Sequence, residues 1–147
     1  GYEEISGTSM ACPNLCGVVI LVRQFLKEQY PGISTVELTT MTNQLLMSTG
    51  TIVLDEQGNP YSPRKQGAGL ANLEATLETL AYISVEGTKK AKLDLMDDPE
   101  ETGVYKLVFD INNTSNTELK YKINNQTMTE SLSKADPNFV CLLSISP

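Results

Sequence analysis

The sequence contains no histidine among its 147 residues. Any serine–histidine or cysteine–histidine chemistry would therefore need an imidazole from outside this chain. Cysteine is also scarce, and the odd set of Cys12, Cys16 and Cys141 does not indicate a disulfide framework. Cys12 and Cys16 lie four residues apart on a predicted helix, where a disulfide would be strained and a metal ion would lack further ligands. We expect both to be small buried hydrophobic side chains.

Basic residues are few and the net charge is −7. The charge is spread over both halves without a basic stripe, which argues against binding to nucleic acid, whose phosphates demand clustered Lys and Arg. No uninterrupted apolar run approaches the roughly 18 residues of a membrane span, so we expect none. The chain begins with Gly1, and residues 1–5 lack the features of a signal peptide. We therefore expect the natural start of the protein to lie upstream.

The first 50 residues predict two helices. Residues 10–30 are apolar around most of a helix circumference, so this helix is expected to be buried in a larger body. Ser34 and Glu37 form a capping-box pattern that opens a second, amphipathic helix, which Gly50 ends.

A loop-rich segment with one further helix follows. Residues 51–54 are a short β-branched run, and residues 55–63 are predicted to form a surface loop or hairpin tip. Residues 66–70 carry glycines where the backbone must bend sharply or pass close to another segment. Asn72 is expected to cap a third helix over residues 73–81.

From residue 82 onward the pattern changes to alternating polar and apolar residues separated by turn signals. The predicted strands cover residues 82–85, 91–95, 105–111, 119–123 and 140–145. This pattern predicts an all-β sandwich that is cut short, because about 65 residues are present where such a domain has roughly 100. We therefore divide the chain into residues 1–81 and residues 82–147.

Ser9 lies in the segment Gly7-Thr8-Ser9-Met10-Ala11-Cys12-Pro13, directly before the apolar helix. A serine at a helix N-terminus faces the positive end of the helix dipole, and free backbone N–H groups there can hold an oxyanion. Gly7 would allow a close approach, Pro13 would fit the first helical turn, and Gly17 would let another element pack closely. On these grounds alone an ordinary N-cap serine is the more common interpretation.

The segment from Gly7 to Ala11, followed by Pro13, resembles the active-site serine motif of the subtilisin-like serine peptidases. The resemblance extends over most of residues 1–81, through the two helices and the Gly-Ala-Gly-Leu-Ala-Asn segment at residues 67–72. It implies the C-terminal part of an α/β three-layer catalytic domain, mostly helical here, followed by the β-sandwich.

The resemblance implies that Ser9 is the acyl-forming nucleophile and that its N–H supplies half of the oxyanion hole. Gly7, Thr8 and Met10 form the turn around it, and Met10 matches the methionine that makes many subtilases sensitive to oxidants. In this family the triad Asp and His and the oxyanion Asn precede the serine. We therefore expect the chain to be inactive alone, as part of a serine endopeptidase that cleaves proteins or peptides and needs its missing N-terminal part.

Two alternatives compete with this interpretation. The α/β-hydrolases also place a nucleophilic serine before a helix, but their turn needs a glycine where this chain has Ala11. The other alternative is a catalytically dead subtilase remnant, or an interaction or spacer module formed by the β region. Asn14, which stands where relatives often have a histidine, is not a triad position and does not decide between these.

The β region is also similar to the fibronectin-III-like domain that follows the catalytic domain in large bacterial cell-envelope subtilases. The similarity rests on residues 67–72, the helix that follows them, and residues 82–83, 92–95, 102–105 and 112–115. It implies a secreted or cell-envelope location. No cofactor is expected in this chain, and calcium is left open for the parent protein. The acidic residues between Asp94 and Glu101 are interpreted as a solvated turn and not as a calcium site.

Overall fold

The computed structural model describes residue 3 and residues 5–93, 102–130 and 138–146, of which residues 124–130 and 138–146 are described as backbone only. The helices are α1 (Thr8–Gln29), α2 (Thr35–Ser48), α3 (Pro63–Gln66) and α4 (Leu73–Glu78), and the strands are β1 (Ala81–Val85), β2 (Phe109–Asn113), β3 (Lys122–Glu130) and β4 (Asn138–Ser146).

The three predicted helices are present with shifted ends. α1 begins at Thr8, before the predicted start, and α4 ends at Glu78, before the predicted end at residue 81. Asn72 caps α4 as predicted, because its side chain accepts a hydrogen bond from the N–H of Ala75 at 3.0 Å. The four-residue helix α3 was not predicted, although Pro63 at its first position is a typical helix-start signal.

The predicted capping box of α2 is confirmed. Ser34 Oγ accepts from the N–H of Glu37 at 3.2 Å, and the Glu37 carboxylate accepts from the Ser34 N–H at 3.3 Å and from its hydroxyl at 2.7 Å. The hydroxyl first and the N–H second lower the pKa of Glu37 below its ordinary value. The stability that these hydrogen bonds give the folded state is therefore fully present above the ordinary pKa of Glu37. It is lost as the pH falls through the lowered pKa.

The hydrophobic core lies between the C-terminal half of α1 and α2. Its fully buried members are Val22 and Leu26 of α1 and Leu38 and Leu45 of α2. The partly buried residues that pack against them come from α1, α2, α4, the loop between α1 and α2, and β1: Val18, Phe25, Ile33, Met41, Leu46, Leu73, Leu77 and Tyr82. The helical part and the first strand therefore share one core.

The N-terminal half of α1 contradicts the prediction that the whole helix is buried. Met10 is 43% exposed and Leu15 is 47% exposed. Cys12 and Cys16 are exposed as well, so their prediction as buried hydrophobic residues is wrong for this chain. The physical reason is that the fully buried residues of α1, Val22 and Leu26, both lie in its second half, so the core covers that half more completely.

By length and composition alone, α1 would be able to cross a membrane. A core helix of a soluble protein satisfies the same criteria, so this helix is weak support for a span. The expectation that the chain has no membrane span stays a prediction.

The glycines of residues 66–70 permit a close backbone approach, as predicted. Thr51 and Leu70 exchange two backbone hydrogen bonds of 2.8 Å. Gly69 has a φ of +105°, and a Cβ there would lie 2.4 Å from the Thr51 carbonyl oxygen. The run at residues 51–54 forms isolated bridges to Leu70 and Pro60 and not a longer strand.

A side-chain amide completes this hairpin. Gln66 Oε1 accepts from the N–H of Val53 at 2.7 Å, and its Nε2 donates to the carbonyl of Tyr61. At the tip, Asp55 Oδ1 accepts from the N–H groups of Gln57 and Asn59 at 2.9 and 2.8 Å. The predicted hairpin tip is therefore confirmed and is held by two side chains.

The described strands form two separate antiparallel pairs. β1 pairs with β2 in a register from Ala81↔Asn113 to Val85↔Phe109, and β3 pairs with β4 from Lys122↔Ser146 to Glu130↔Asn138. A β-sandwich is not confirmed by these two sheets. β1 also contacts the helical part, because the Ile83 N–H donates to Ser48 Oγ at 3.0 Å.

The predicted strands at residues 82–85 and 140–145 are confirmed with longer ends, whereas two others are misplaced. β2 begins only at Phe109, so residues 105–108 are wrongly predicted as strand, and the strand predicted at 119–123 begins at Lys122. Of the strand predicted at 91–95, residues 91–93 are not a strand and the rest lies outside the described residues. Alternation along the predicted strand places Ile111 on one face with Leu107 and Phe109, opposite the wet face, yet Ile111 is 41% exposed.

We predict that Gly69→Ala opens the bridge between Thr51 and Leu70. The new Cβ would meet the Thr51 carbonyl in a backbone conformation that costs a non-glycine residue about 1–3 kcal/mol. Amide hydrogen exchange of Thr51 and Leu70 should therefore speed up about tenfold or more. Gly58→Ala is the matched control, because Gly58 also has a positive φ of 83° but nothing lies within 4 Å of the added Cβ. Equal exchange in the two variants would contradict the clash.

Candidate active site

Ser9 is the second residue of α1 and is exposed to solvent. Gly7 is the N-cap residue, and it offers no side chain to cap the helix. Thr8 and Met10, which flank Ser9, are also exposed, Met10 to 43%. The structure therefore brings the four predicted site residues together in one open turn at the start of the helix.

The backbone of this turn leaves donors available next to Ser9. The Gly7 carbonyl accepts from the N–H of Met10 at 3.1 Å and from that of Ala11 at 3.2 Å. Helix geometry gives the first N–H groups, here those of Thr8 and Ser9, no acceptor within the helix. Because the helix dipole is positive at this end, these two N–H groups are suited to hold a negatively charged oxygen.

Pro13 does not lie in the first turn, which corrects the prediction. Because α1 begins at Thr8, Pro13 is the sixth residue of the helix. In an α-helix the N–H of residue 13 would bond to the carbonyl of residue 9, and proline has no N–H to donate. The carbonyl of Ser9 therefore receives no helical hydrogen bond from residue 13.

Neither Gly7 nor Gly17 has the close neighbour that was predicted for it. A Cβ at either position would meet nothing within 4 Å among the described residues. Gly7 has an extended backbone that other residues also adopt. Asn14 stands where relatives often have a histidine. Its side-chain amide donates a hydrogen bond to the Met10 carbonyl at 3.0 Å and so stabilises the first turns of α1.

Cys12 and Cys16 form an exposed pair of free thiols that begins three residues after Ser9. The neighbouring Cys12 side chain raises the pKa of Cys16 above its ordinary value, first by hydrogen bonding to it and second by its charge. At neutral pH Cys16 therefore keeps its proton more strongly than an isolated cysteine does.

The described residues offer little else for catalysis or metal binding. Within the part of the chain that the structure describes, no group of three or more His, Cys, Asp or Glu residues is placed to hold a metal ion. The acidic stretch from Asp94 to Glu101 lies outside the described residues. The base that would activate Ser9 cannot be a histidine of this chain, since the chain has none.

Sequence reasoning missed an open cavity of about 580 Å³ beside the core. Leu15 and Val19 of α1 line one side, α2 lines another, and residues 68–71 and 89–92 close the rest. No local pattern would have shown it, because its walls come from four separate segments. The cavity adjoins the exposed apolar part of α1.

Comparison with known proteins points in one direction. The Subtilase family model, Peptidase_S8, matches residues 1–69. C5a peptidase of Streptococcus pyogenes is 32% identical over 95 residues, which cover 64% of this chain. PI-type proteinase of Lactococcus lactis subsp. cremoris is 31% identical over 153 residues, which cover 94% of this chain. In each case the chain spans only 8% of the relative's length.

We predict that Cys12→Ala speeds the alkylation of Cys16. Removing Cys12 removes both the hydrogen bond and the charge that raise the pKa of Cys16, so more of Cys16 is thiolate near pH 8. Peptide mapping after a timed reaction with iodoacetamide measures the rate. Asn14→Ala, which leaves both thiols in place, serves as the control. An unchanged rate in Cys12→Ala would contradict the pairing of the two side chains.

Proposed function

Residues 1–69 belong to the subtilase family, and on that premise we propose that the chain is the C-terminal part of the catalytic domain of a serine endopeptidase. In this proposal Ser9 attacks the carbonyl carbon of the scissile peptide bond and forms an acyl-enzyme. The observation that carries the proposal is the exposed Ser9 at the uncapped start of α1, within the Gly-Thr-Ser-Met-Ala-x-Pro segment.

The proposed reaction divides its groups between this chain and the part upstream. A histidine from upstream takes the hydroxyl proton of Ser9, and an upstream aspartate orients that histidine. The oxyanion is held by the Ser9 N–H together with an upstream asparagine side chain. Without these partners the hydroxyl of Ser9 keeps its ordinary weak nucleophilicity, so the chain is inactive alone.

The neighbours of Ser9 have supporting roles in this proposal. Thr8 contributes the other N–H group that has no acceptor within the helix. The Gly7 carbonyl stabilises the turn by accepting hydrogen bonds from the N–H groups of Met10 and Ala11. Met10, which is exposed beside Ser9, is the residue whose sulfoxide would place a polar oxygen against the reacting groups.

We propose that the upstream part of the catalytic domain covers the first half of α1. The large apolar side chains left exposed there or next to it are Met10, Leu15, Ile20 and Leu21. Several large apolar side chains exposed on one helix indicate that other protein surface covers the helix in the parent. The family supplies the occupant, because a subtilase carries the rest of its catalytic domain before the serine.

We propose that the β-rich residues from 82 onward belong to a fibronectin-III-like module that braces the catalytic part. The alignment with PI-type proteinase supports this, because it covers 94% of the chain and so extends past residue 69. The hydrogen bond from Ile83 to Ser48 and the packing of Tyr82 on the helical core give the module a fixed attachment.

The parent is proposed to act on proteins or peptides and to reside outside the cell or in the cell envelope. The first proposal follows from the peptidase family, and the second from the resemblance to cell-envelope subtilases. The rival hypothesis is a catalytically dead remnant, in which the β region serves only for interaction. The presence of the triad Asp and His in the upstream reading frame separates the two.

We predict that co-expression with the upstream part of the parent makes Ser9 react with a fluorophosphonate probe. The imported histidine would activate the hydroxyl, so labelling should be strong in the assembled pair and absent in the chain alone. In-gel fluorescence measures it. Ser6→Ala, which removes a neighbouring exposed serine, should leave the labelling intact. Equal labelling of a Ser9→Ala variant would refute the role of Ser9.

We also predict that the chain alone self-associates through the exposed apolar side chains of α1. Ile20→Glu should shift the population towards the monomer, because a charge resists burial in an apolar contact. Size-exclusion chromatography with light scattering measures the mass. Gln57→Glu adds the same charge at the exposed hairpin tip and should not change it. A monodisperse monomer for the unmodified chain would contradict the prediction.

A further inference from the structure

The buried stripe of α1 continues past the core into the open cavity beside α2. Leu26 and Val22 are fully buried in the core. Val19 and Leu15 continue the same stripe at helical spacing, and both line the cavity of about 580 Å³. Leu15 is left 47% exposed. The cavity is therefore an uncovered continuation of the hydrophobic core, and an apolar side chain fits it.

Gln44 of α2 places a polar group on the wall of this cavity. The residue is only 4% exposed, and its side-chain amide makes no hydrogen bond with any described residue. Among the described residues, no buried side-chain nitrogen or oxygen is both sealed from solvent and without a partner, so the amide of Gln44 reaches the open cavity. An occupant that displaces water from this amide must supply hydrogen bonds in its place, because an unpaired amide away from water costs free energy.

The chemistry of a glutamine amide fits a polypeptide backbone. The amide offers donors and an acceptor, and a backbone offers the complementary carbonyl and N–H groups. Gln66 already binds backbone in this way, since its Oε1 accepts from the N–H of Val53 and its Nε2 donates to the carbonyl of Tyr61. An occupant that provides both an apolar side chain and such backbone groups is a segment of polypeptide.

The charge around the cavity restricts which segment can enter it. Lys89, Lys90 and Lys92 line the cavity and are exposed. Like charges brought together at an interface cost free energy, so a basic segment would be repelled. The occupant is therefore neutral or acidic.

We propose that a neutral or acidic segment from the upstream part of the catalytic domain docks in this cavity. An apolar side chain of the segment packs against Leu15 and Val19, and its backbone is hydrogen-bonded to the amide of Gln44. This inference rests on the proposed function, in which the upstream part completes the domain. The source of the segment is supported by the match of residues 1–69 to the subtilase family and by the 8% of each relative's length that this chain spans.

Photo-crosslinking in the full-length parent tests which segment occupies the cavity. The photoreactive residue p-benzoylphenylalanine takes the place of Asn43, which is exposed and lines the cavity. Irradiation should join it to a peptide upstream of Gly1, as mapped by mass spectrometry. The same residue in place of Gln57, at the exposed hairpin tip, is the control and should not join to that peptide. A crosslink that stays within residues 1–147, of the same or a second copy, would overturn the proposal, and so would the absence of any crosslink.

A second variant tests the role of the Gln44 amide. Gln44→Met keeps an unbranched side chain of similar length and removes the amide. In the full-length parent it should lower the melting temperature of the catalytic domain by about 2 °C or more, because the docked backbone groups lose their partner. Gln57→Met removes an amide at the exposed hairpin tip and should leave the melting temperature unchanged. An unchanged or higher melting temperature in Gln44→Met would overturn the proposal.

Fluorophosphonate labelling of the same parent separates this inference from the proposed function. If the upstream crosslink and the lower melting temperature are found without labelling of Ser9, the docking is supported and the catalytic role of Ser9 is refuted. If Ser9 is labelled but the crosslink does not reach a peptide upstream of Gly1, the proposed function is supported and the docking is overturned.

Discussion

The packing of α1 against α2 is the contact on which the rest of the structure depends. It is made by Val22 and Leu26 on one helix and by Leu38 and Leu45 on the other, all of them buried. Because this contact uses the second half of α1, it holds the helix at one end and leaves the other end projecting. Ser9 lies at that projecting end, so the core orients the site without enclosing it.

The second constraint is the backbone contact between the end of α2 and the glycine segment before α4. A Cβ at Gly50 would lie 2.4 Å from the carbonyl oxygen of Ala68, so only glycine permits the approach. Thr49 and Thr76 join their hydroxyl groups at 2.7 Å beside it. Together these contacts hold α4 and β1 to α2. The β-rich part is therefore linked to the same helix pair that presents Ser9.

Local signals in the sequence predicted local structure well. The capping box of Ser34 and the cap of Asn72 depend on a few neighbouring residues, and both were predicted correctly. Burial was predicted poorly, as Cys12 and Ile111 show, because it depends on which distant segments arrive to cover a surface. Strand ends failed for the same reason, since the pairing partner fixes where β2 begins. The position of Ser9 at the start of a helix followed from the motif, whereas the cysteine pair required coordinates.

Pro13 has a consequence for how the start of α1 can move. Since no N–H reaches the carbonyl of Ser9 from one turn further on, the first turn is joined to the remaining helix by one link fewer than usual. That turn can tilt slightly as a small rigid unit, with the bonds to the Gly7 carbonyl intact. A side chain in this first turn can therefore change its direction without unwinding the helix that supports it.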